Sequence, residues 1–233
     1  MAEPAAARLA LARLLQLASP ALPVGAYTYS QGLEWAVEAG QVHDEASAGA
    51  WIGSVLEHSV ASFEAPCLAR LMAAWTAGDD AQVARLNERF LASRETAELR
   101  AETAQMGYSC ARLLADLPAW ATLPGWPERL SRLAEASFPA AWGAAAAAWQ
   151  LPPDAALTAY LWAWLENQVM AAIKAVPLGQ GAGQRIAAEL AGRLPQLVDA
   201  ALALDESACS NYAPGLALAS CRHETQYSRL FRS

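Results

Sequence analysis

The segment that most constrains the fold is residues 154–176, which lie between Pro153 and Pro177. Prolines at both ends are typical of helix boundaries. Apolar side chains lie on nearly every face of the helix that this segment would form, which is typical of a helix buried on all sides. The polar side chains at 166–168 would then need hydrogen-bond partners in the interior. We therefore predict an all-α fold with this helix at the centre of a bundle.

The rest of the chain shows helical periodicity and no sustained strand-like alternation. Asp44 is expected to cap a helix, and Gly78 and Pro118 to follow the ends of two others. Residues 117–127 are irregular, but their tryptophans and lack of charge indicate that they pack against the body. We expect one domain, 1–233, of about ten helices. Besides the central helix, they are predicted near residues 5–18, 29–39, 45–61, 66–78, 81–93, 95–116, 128–136, 139–150, 182–192 and 195–206.

Composition restricts the classes of function. The net charge is −7 and no run of lysine or arginine occurs, so neither nucleic acid nor a membrane surface is an expected partner. The apolar segment 5–18 is interrupted by Arg13 and is shorter than the roughly 18 apolar residues of a spanning helix. The four cysteines are far apart and are interpreted as free, mostly buried thiols. We expect a soluble, cytoplasmic protein.

Common motifs for catalysis and cofactor binding are missing from the sequence. It contains no P-loop pattern, no H-E-x-x-H pattern and no Glu-x-x-His pair. We therefore expect no enzyme activity and no cofactor. Cys221 and His223 could supply two ligands to nickel or zinc, and a dimer could bring four together. The favoured interpretation is a terminal helix that carries one small apolar residue and one polar residue, without a metal.

Residues 19–34 read Ser-Pro-Ala-Leu-Pro-Val-Gly-Ala-Tyr-Thr-Tyr-Ser-Gln-Gly-Leu-Glu and predict an ordered loop before a helix. Tyr27 and Tyr29 are two residues apart, and we expect their rings to lie on opposite faces of the loop. Thr28 and Gln31 have the spacing of a capping box for the following helix. Two interpretations stay open: an aromatic loop that binds a partner, or a connector whose rings fill the core.

A second notable segment, Lys174 to Gln184, contains the sequence Pro-Leu-Gly-Gln at 177–180. Lys174 and Arg185 flank these four residues, and an arginine supplied in trans can stabilise the charge that develops in phosphoryl transfer. The favoured interpretation is that Lys174 lies in the last turn of its helix, where a cation interacts well with the helix dipole. Gln180 would bond the carbonyl groups that are freed where the helix ends.

The last twelve residues, Arg222–Ser233, alternate cations with bulky apolar groups on an acidic protein. Tyrosine and arginine carry much of the binding energy at interfaces, and chain ends are usually mobile unless they are tied down. We therefore expect 222–233 to be a mobile tail whose part Tyr227–Ser233 orders on a partner, so that its deletion leaves stability nearly unchanged. The alternative is a tail that folds back permanently onto its own core.

The three segments resemble the signatures of the UreF family of urease accessory proteins. The resemblance rests on residues 19–34, on Lys-x-x-Pro-Leu-Gly-Gln at 174–180 with Gln184, and on residues 213–233, which contain Arg-His-Glu-Thr-Gln-Tyr-Ser-Arg-Leu-Phe-Arg-Ser at 222–233. It implies an all-helical homodimer without catalytic activity. Such a protein bridges a UreD/UreH-type scaffold and a UreG-type GTPase, and the assembly delivers nickel to apo-urease. The alternative is direct regulation of GTP hydrolysis by the partner.

This resemblance, together with the aromatic loop and the tail, assigns the partner-binding residues. Glu34 is expected to contribute about 0.3–1 kcal/mol through the dipole of its helix, and to matter more for urease activation than for stability. The predicted partner-binding residues are Tyr27, Tyr29, Gly32, Glu34, Lys174, Gln180, Arg222, His223, Glu224, Tyr227, Arg229, Leu230, Phe231 and Arg232.

Overall fold

The computed structural model describes residues 2–233, with side chains from residue 4 onward. Every regular element in that range is helical, so the predicted all-α fold is confirmed, and no helix there is long and apolar enough to cross a bilayer. Two short 3-10 turns lie at Ala26–Thr28 and Glu206–Ala208, and a π-helical stretch at Leu56–Glu64. The α-helices are α1 (Ala2–Ala18), α2 (Leu33–Glu38), α3 (Glu45–Val55), α4 (Ala65–Ala77), α5 (Asp80–Ala92), α6 (Ala97–Asp116), α7 (Pro118–Ala121), α8 (Trp126–Ser131), α9 (Phe138–Ala148), α10 (Pro153–Ala175), α11 (Gln180–Ala191), α12 (Leu194–Ala203) and α13 (Pro214–His223).

Helix α10 is the centre of the bundle, as predicted. It contacts α1, α2, α3, α4, α11 and α12. It ends at Ala175 because the residue before Pro177 is extended. Among its polar side chains, Asn167 donates a hydrogen bond to the carbonyl oxygen of Tyr29 and so ties the helix to the loop before α2. The leucines that face its neighbours have no solvent exposure: Leu157, Leu161 and Leu165.

Helix α9 is buried more completely than α10, which the sequence does not predict: nine of its 11 residues are buried, against nine of the 23 residues of α10. It packs against α4 and α6. Its small side chains permit close approach, since a Cβ atom at Gly143 would lie 3.1 Å from Leu68 Cδ1. The Trp75 indole of α4 donates a hydrogen bond to the carbonyl oxygen of Ala140 at 3.0 Å. An alanine-rich helix therefore forms the inner layer, and side chains of its neighbours supply the bulk that fills the core.

Helix α3, the π-helical stretch and α4 form one continuous rod, so the predicted break before Pro66 is wrong. Pro66 lacks an N–H group and lies in the first turn of α4. The wider turn of the π-helix ahead of it accommodates the proline ring without ending the rod. Asp44 caps the rod as predicted, in a capping box with Ser47, and Gly78 ends it with φ 74°.

The predicted helix 29–39 is wrong at its start. Helix α2 spans only Leu33–Glu38, and Gly32 precedes it with φ 77°. Thr28 does not cap it, because the Thr28 hydroxyl donates to the carbonyl oxygen of Gly25 at 2.8 Å. A Cβ atom at Gly32 would lie 3.0 Å from the nearest atoms of α13. The glycine therefore permits both the left-handed backbone and the close packing of α13 against α2.

The segment 117–127 packs against the body, in agreement with its composition. It contains α7 and the start of α8. Trp120 is buried, and its ring centroid lies 6.2 Å from that of Trp126. The Trp126 ring in turn contacts Trp75 of α4, with 6.2 Å between centroids. These three rings join the segment to the core and explain its tryptophan content.

Candidate functional site

The loop between α1 and α2 exposes one tyrosine and buries the other. Gly25 adopts φ 80° and opens the 3-10 turn, after which the backbone is extended at Tyr29. Tyr27 is 66% exposed and Tyr29 is 5% exposed, so the two rings lie on opposite faces. Burial raises the pKa of the Tyr29 hydroxyl. One ring therefore fills the core, and the other is available to a partner.

The carboxyl-terminal tail folds back onto this loop. The N–H group and the hydroxyl of Ser30 both donate to the carbonyl oxygen of Ser233, at 2.8 and 2.7 Å. The Arg232 N–H donates to the carbonyl oxygen of Thr28 at 2.8 Å. Phe231 is 6% exposed and belongs to the core. Of the two arrangements that the sequence leaves open, a loose tail and a tail that folds back, the structure contains the second.

Glu34 holds the backbone of the tail. It is buried in the first turn of α2, and its carboxylate accepts hydrogen bonds from the N–H groups of Leu230 at 2.6 Å and Phe231 at 3.0 Å. The Nε2 atom of His223 lies 3.3 Å from the same carboxylate. Charge-assisted hydrogen bonds contribute more than a helix dipole does. We therefore expect Glu34 to contribute more to stability than the about 0.3–1 kcal/mol expected from the sequence.

His223 has no solvent exposure and lies between two carboxylates. Its Nδ1 atom is 2.6 Å from Glu98 Oε2, on the opposite side of the ring from Glu34. Arg229 donates to the other oxygen of Glu98 at 2.6 Å. Cys221, in contrast, is exposed, so the two candidate metal ligands lie in different environments. In the part of the chain with described side chains, no three His, Cys, Asp or Glu residues are placed to hold a metal ion.

Lys174 connects the three sequence segments. Its ammonium nitrogen lies 6.0 Å from the centroid of the Tyr27 ring and 5.9 Å from that of Phe231. One cation therefore lies between an aromatic residue of the loop and one of the tail. Gln180 does not join them: it is exposed at the start of α11.

We call the exposed residues at this junction the motif surface: Tyr27, Lys174, Leu230 and Arg232. Leu230 is 73% exposed although its neighbour Phe231 is buried, so the tail presents one apolar side chain outward. Tyr227, Arg222 and Arg229 are exposed farther along the tail and on α13. Glu224 has a structural role, because its carboxylate accepts a hydrogen bond from the Ala97 N–H at the start of α6, at 2.9 Å.

Comparison with known sequences shows the family. A sequence model of the UreF family matches residues 42–191, more than half of the chain. This chain belongs to the UreF family. The urease accessory protein UreF of Azoarcus sp. (strain BH72) is 71% identical over 230 residues, which cover 99% of this chain and 98% of the relative. The resemblance drawn from the three sequence segments is therefore confirmed.

Two further relatives of this UreF-family protein are informative. The urease accessory protein UreF of Dechloromonas aromatica (strain RCB) is 60% identical over 225 residues, 97% of this chain and 98% of the relative. The bifunctional urease accessory protein UreEF of Bordetella bronchiseptica is 52% identical over 226 residues. Those residues are 96% of this chain and 52% of that longer protein. A sequence like this one therefore also occurs as one part of a fused urease accessory protein.

Sequence reasoning misses the acidic residues behind the tail, Glu98 and Glu102. They are four residues apart on α6 and therefore share one face of that helix. Such a pair is ordinary on an exposed helix. Only the folded position of the tail shows that Glu98 accepts a hydrogen bond from Arg229 and that Glu102 accepts one from the Ser233 hydroxyl. The spacing of the two residues is the one signal that the sequence contains.

Glu102 is a buried carboxylate with two neutral donors. Gln31 Nε2 and Ser233 Oγ each donate to it at 2.7 Å, one to each oxygen. Burial raises the pKa of this carboxyl group to about 7 from the ordinary 4.5. Between pH 4.5 and about pH 7, the Glu102 carboxyl group is more often protonated in the folded protein than in the unfolded chain. The contribution of Glu102 to stability therefore falls as the pH rises through that window.

Glu102→Gln is expected to remove this pH dependence. Glutamine is uncharged. Its amide oxygen can accept a hydrogen bond from Gln31, and its amide nitrogen can donate one to the Ser233 hydroxyl. At each pH, the free energy of unfolding of the wild type is subtracted from that of Glu102→Gln. This difference should be roughly 2–3 kcal/mol larger at pH 8 than at pH 5, because only the wild type loses stability as the pH rises. Urea unfolding of both proteins at the two pH values measures it. The exposed Glu38→Gln is the control and should show no such difference; an equal gain at both pH values for Glu102→Gln would contradict the assignment.

Proposed function

We propose that this UreF-family protein is a non-catalytic adaptor in urease maturation. In this role it bridges a UreD/UreH-type scaffold and a UreG-type GTPase, and the assembly inserts nickel into apo-urease. We propose further that it works as a homodimer in the cytoplasm.

The observation that carries the proposal is the convergence of the three sequence segments at the motif surface. Tyr27 and Leu230 are large and exposed, and Lys174 and Arg232 add positive charge on an acidic protein. Exposed tyrosine and arginine side chains held by an ordered backbone make good interface anchors. The backbone here is ordered by the hydrogen bonds of Glu34 and Ser30. The fused Bordetella relative also supports a role beside other urease accessory proteins.

Co-purification tests the adaptor role. An amino-terminally tagged protein, which leaves the buried Ser233 unaltered, is purified from urease-expressing cells supplied with nickel. We expect the scaffold protein and the GTPase to elute with it. Recovery of neither protein, from cells in which both are expressed, would contradict the proposal.

Tyr27→Ala is expected to weaken this assembly without unfolding the protein. The ring is exposed, so the free energy of unfolding should change by no more than about 0.5 kcal/mol. The measurement is the amount of scaffold recovered per folded adaptor. Tyr29→Ala is the matched control: its ring is buried, so its loss should lower the free energy of unfolding and leave the amount of scaffold recovered per folded adaptor unchanged. If Tyr27→Ala recovers as much scaffold as the wild type, Tyr27 is not part of the interface.

The second candidate function is direct regulation of GTP hydrolysis by the partner. It is favoured by Arg222 and Arg232, which are exposed and form no ion pair with any residue whose side chain is described. Arg185, the other arginine considered from the sequence, is engaged by both carboxylate oxygens of Glu45 at 2.8 and 2.6 Å. Single-turnover GTP hydrolysis by the partner, with and without this protein, separates the two functions. An acceleration that Arg222→Ala and Arg232→Ala remove together would favour regulation.

A further inference from the structure

A cavity of about 220 Å³ leads from the motif surface into the interior. Its lining passes from the exposed Tyr27 and Lys174 to the buried Glu102 and Tyr160. A water molecule needs about 10–15 Å³ of such volume, so the cavity has room for a molecule of several heavy atoms. Nothing in the adaptor role proposed above requires an internal cavity of this size.

The walls of the cavity are apolar and well packed. Phe138 stacks on Tyr160 with 5.8 Å between centroids, and Trp142 meets Tyr160 edge-on at 5.5 Å. Leu99 and Met106 of α6 complete the wall. Rings held in this way offer both apolar contact and π-faces to a ligand. The walls therefore favour a ligand with a hydrocarbon part.

The charges along the cavity do not cancel. Glu64 and Arg94 form an ion pair of 2.7 Å, and both are buried in the interior. Glu166 and Lys174 are at least partly exposed and accessible to water. Glu102 is the remaining charged group of the lining, and its hydrogen-bond donors, described above, are neutral. A buried carboxylate without a cation is costly, and a bound cation would offset that cost.

We propose that the cavity binds a small primary alkylammonium ion, with its hydrocarbon chain against the aromatic wall and its ammonium group at the Glu102 carboxylate. The ammonium group supplies the missing positive charge and hydrogen bonds to the carboxylate oxygens. The aromatic faces attract the same cation. A carboxylate ligand would meet Glu102 with the same sign of charge, and an alcohol would leave the charge of Glu102 unbalanced.

Three ligands of the same chain length test the proposal on the full-length protein: n-butylammonium, butan-1-ol and butyrate at pH 8 and constant ionic strength. Affinity is measured by isothermal titration and by the shift in Tm with ligand concentration. We expect n-butylammonium to bind at least tenfold more tightly than butan-1-ol, and butyrate more weakly than both. A preference for n-butylammonium below tenfold would overturn the proposal.

Two variants and a control locate the site. Glu102→Gln should reduce the preference for n-butylammonium over butan-1-ol at least tenfold, because it removes the charge. Ala163→Leu, which adds bulk to the lining without touching the carboxylate, should weaken all three ligands at least tenfold. Glu166→Gln should leave the preference unchanged. A preference that survives Glu102→Gln, or binding that survives Ala163→Leu, would place the ligand elsewhere and overturn the proposal.

Discussion

Deletion of Tyr227–Ser233 is expected to lower the free energy of unfolding by about 3–5 kcal/mol. The deletion removes the Phe231 ring from the core and the hydrogen bonds that Glu34, Ser30 and Glu102 form with the tail. The sequence alone led us to expect nearly unchanged stability. That expectation is revised because the composition of the tail does not reveal which of its side chains is buried. Urea unfolding followed by circular dichroism measures the effect.

Single substitutions separate the structural role of the tail from partner binding. Leu230 and Phe231 are adjacent, but Leu230 is exposed and Phe231 is buried. Leu230→Ser should change stability by less than about 0.5 kcal/mol and reduce the recovery of the scaffold protein. Phe231→Ala should lower stability by about 3 kcal/mol. Undiminished scaffold recovery with Leu230→Ser would exclude the outward face of the tail from the interface, and a deletion variant as stable as the wild type would contradict the packed tail.

The elements that the sequence predicts well are those set by local chemistry. Asp44 and Gly78 act within one turn of their helices. The apolar pattern of α10 correctly places it at the centre of the bundle, but burial on all sides is not observed, because Thr158 and Met170 are exposed. Burial of α9 is not predicted, because alanine is equally common in exposed helices. The continuous rod through Pro66 is not predicted either, since a proline signals a boundary unless a π-turn precedes it.

In the candidate site, too, features set by neighbouring residues are predicted from the sequence, and features that depend on distant residues are not. That Tyr27 and Tyr29 lie on opposite faces is predicted, but the physical reason is the 3-10 turn at Ala26–Thr28, because residues two apart on an extended backbone share one face. The role of Glu34 is not predicted, because its partners lie 196 and 197 residues away and belong to the tail. Local reasoning assigns to this carboxylate a weak dipole interaction, and only the folded chain shows that it holds the tail in place.

A buried ion pair between Glu64 and Arg94 is a further feature that depends on long-range packing. Arg94 Nη1 donates to one oxygen of Glu64 at 2.7 Å, and the Tyr160 hydroxyl donates to the other at 3.1 Å. The guanidinium carbon of Arg94 lies 4.5 Å from the centroid of the Phe90 ring. Both charges are removed from water, so each depends on the other.

Arg94→Met is therefore expected to lower the free energy of unfolding by about 3–5 kcal/mol, because Glu64 would stay buried without a cation. Adding Glu64→Gln should restore most of this loss, since the amide oxygen still accepts from Tyr160. Arg193→Met is the matched control: its ion pairs are exposed, so the loss should be below about 1 kcal/mol. Urea unfolding of the wild type, Glu64→Gln, Arg94→Met and the double variant measures the coupling between the two buried charges, and Arg193→Met is unfolded beside them. If the double variant is no more stable than Arg94→Met, the loss arises from packing of the arginine side chain and not from the uncompensated charge of Glu64.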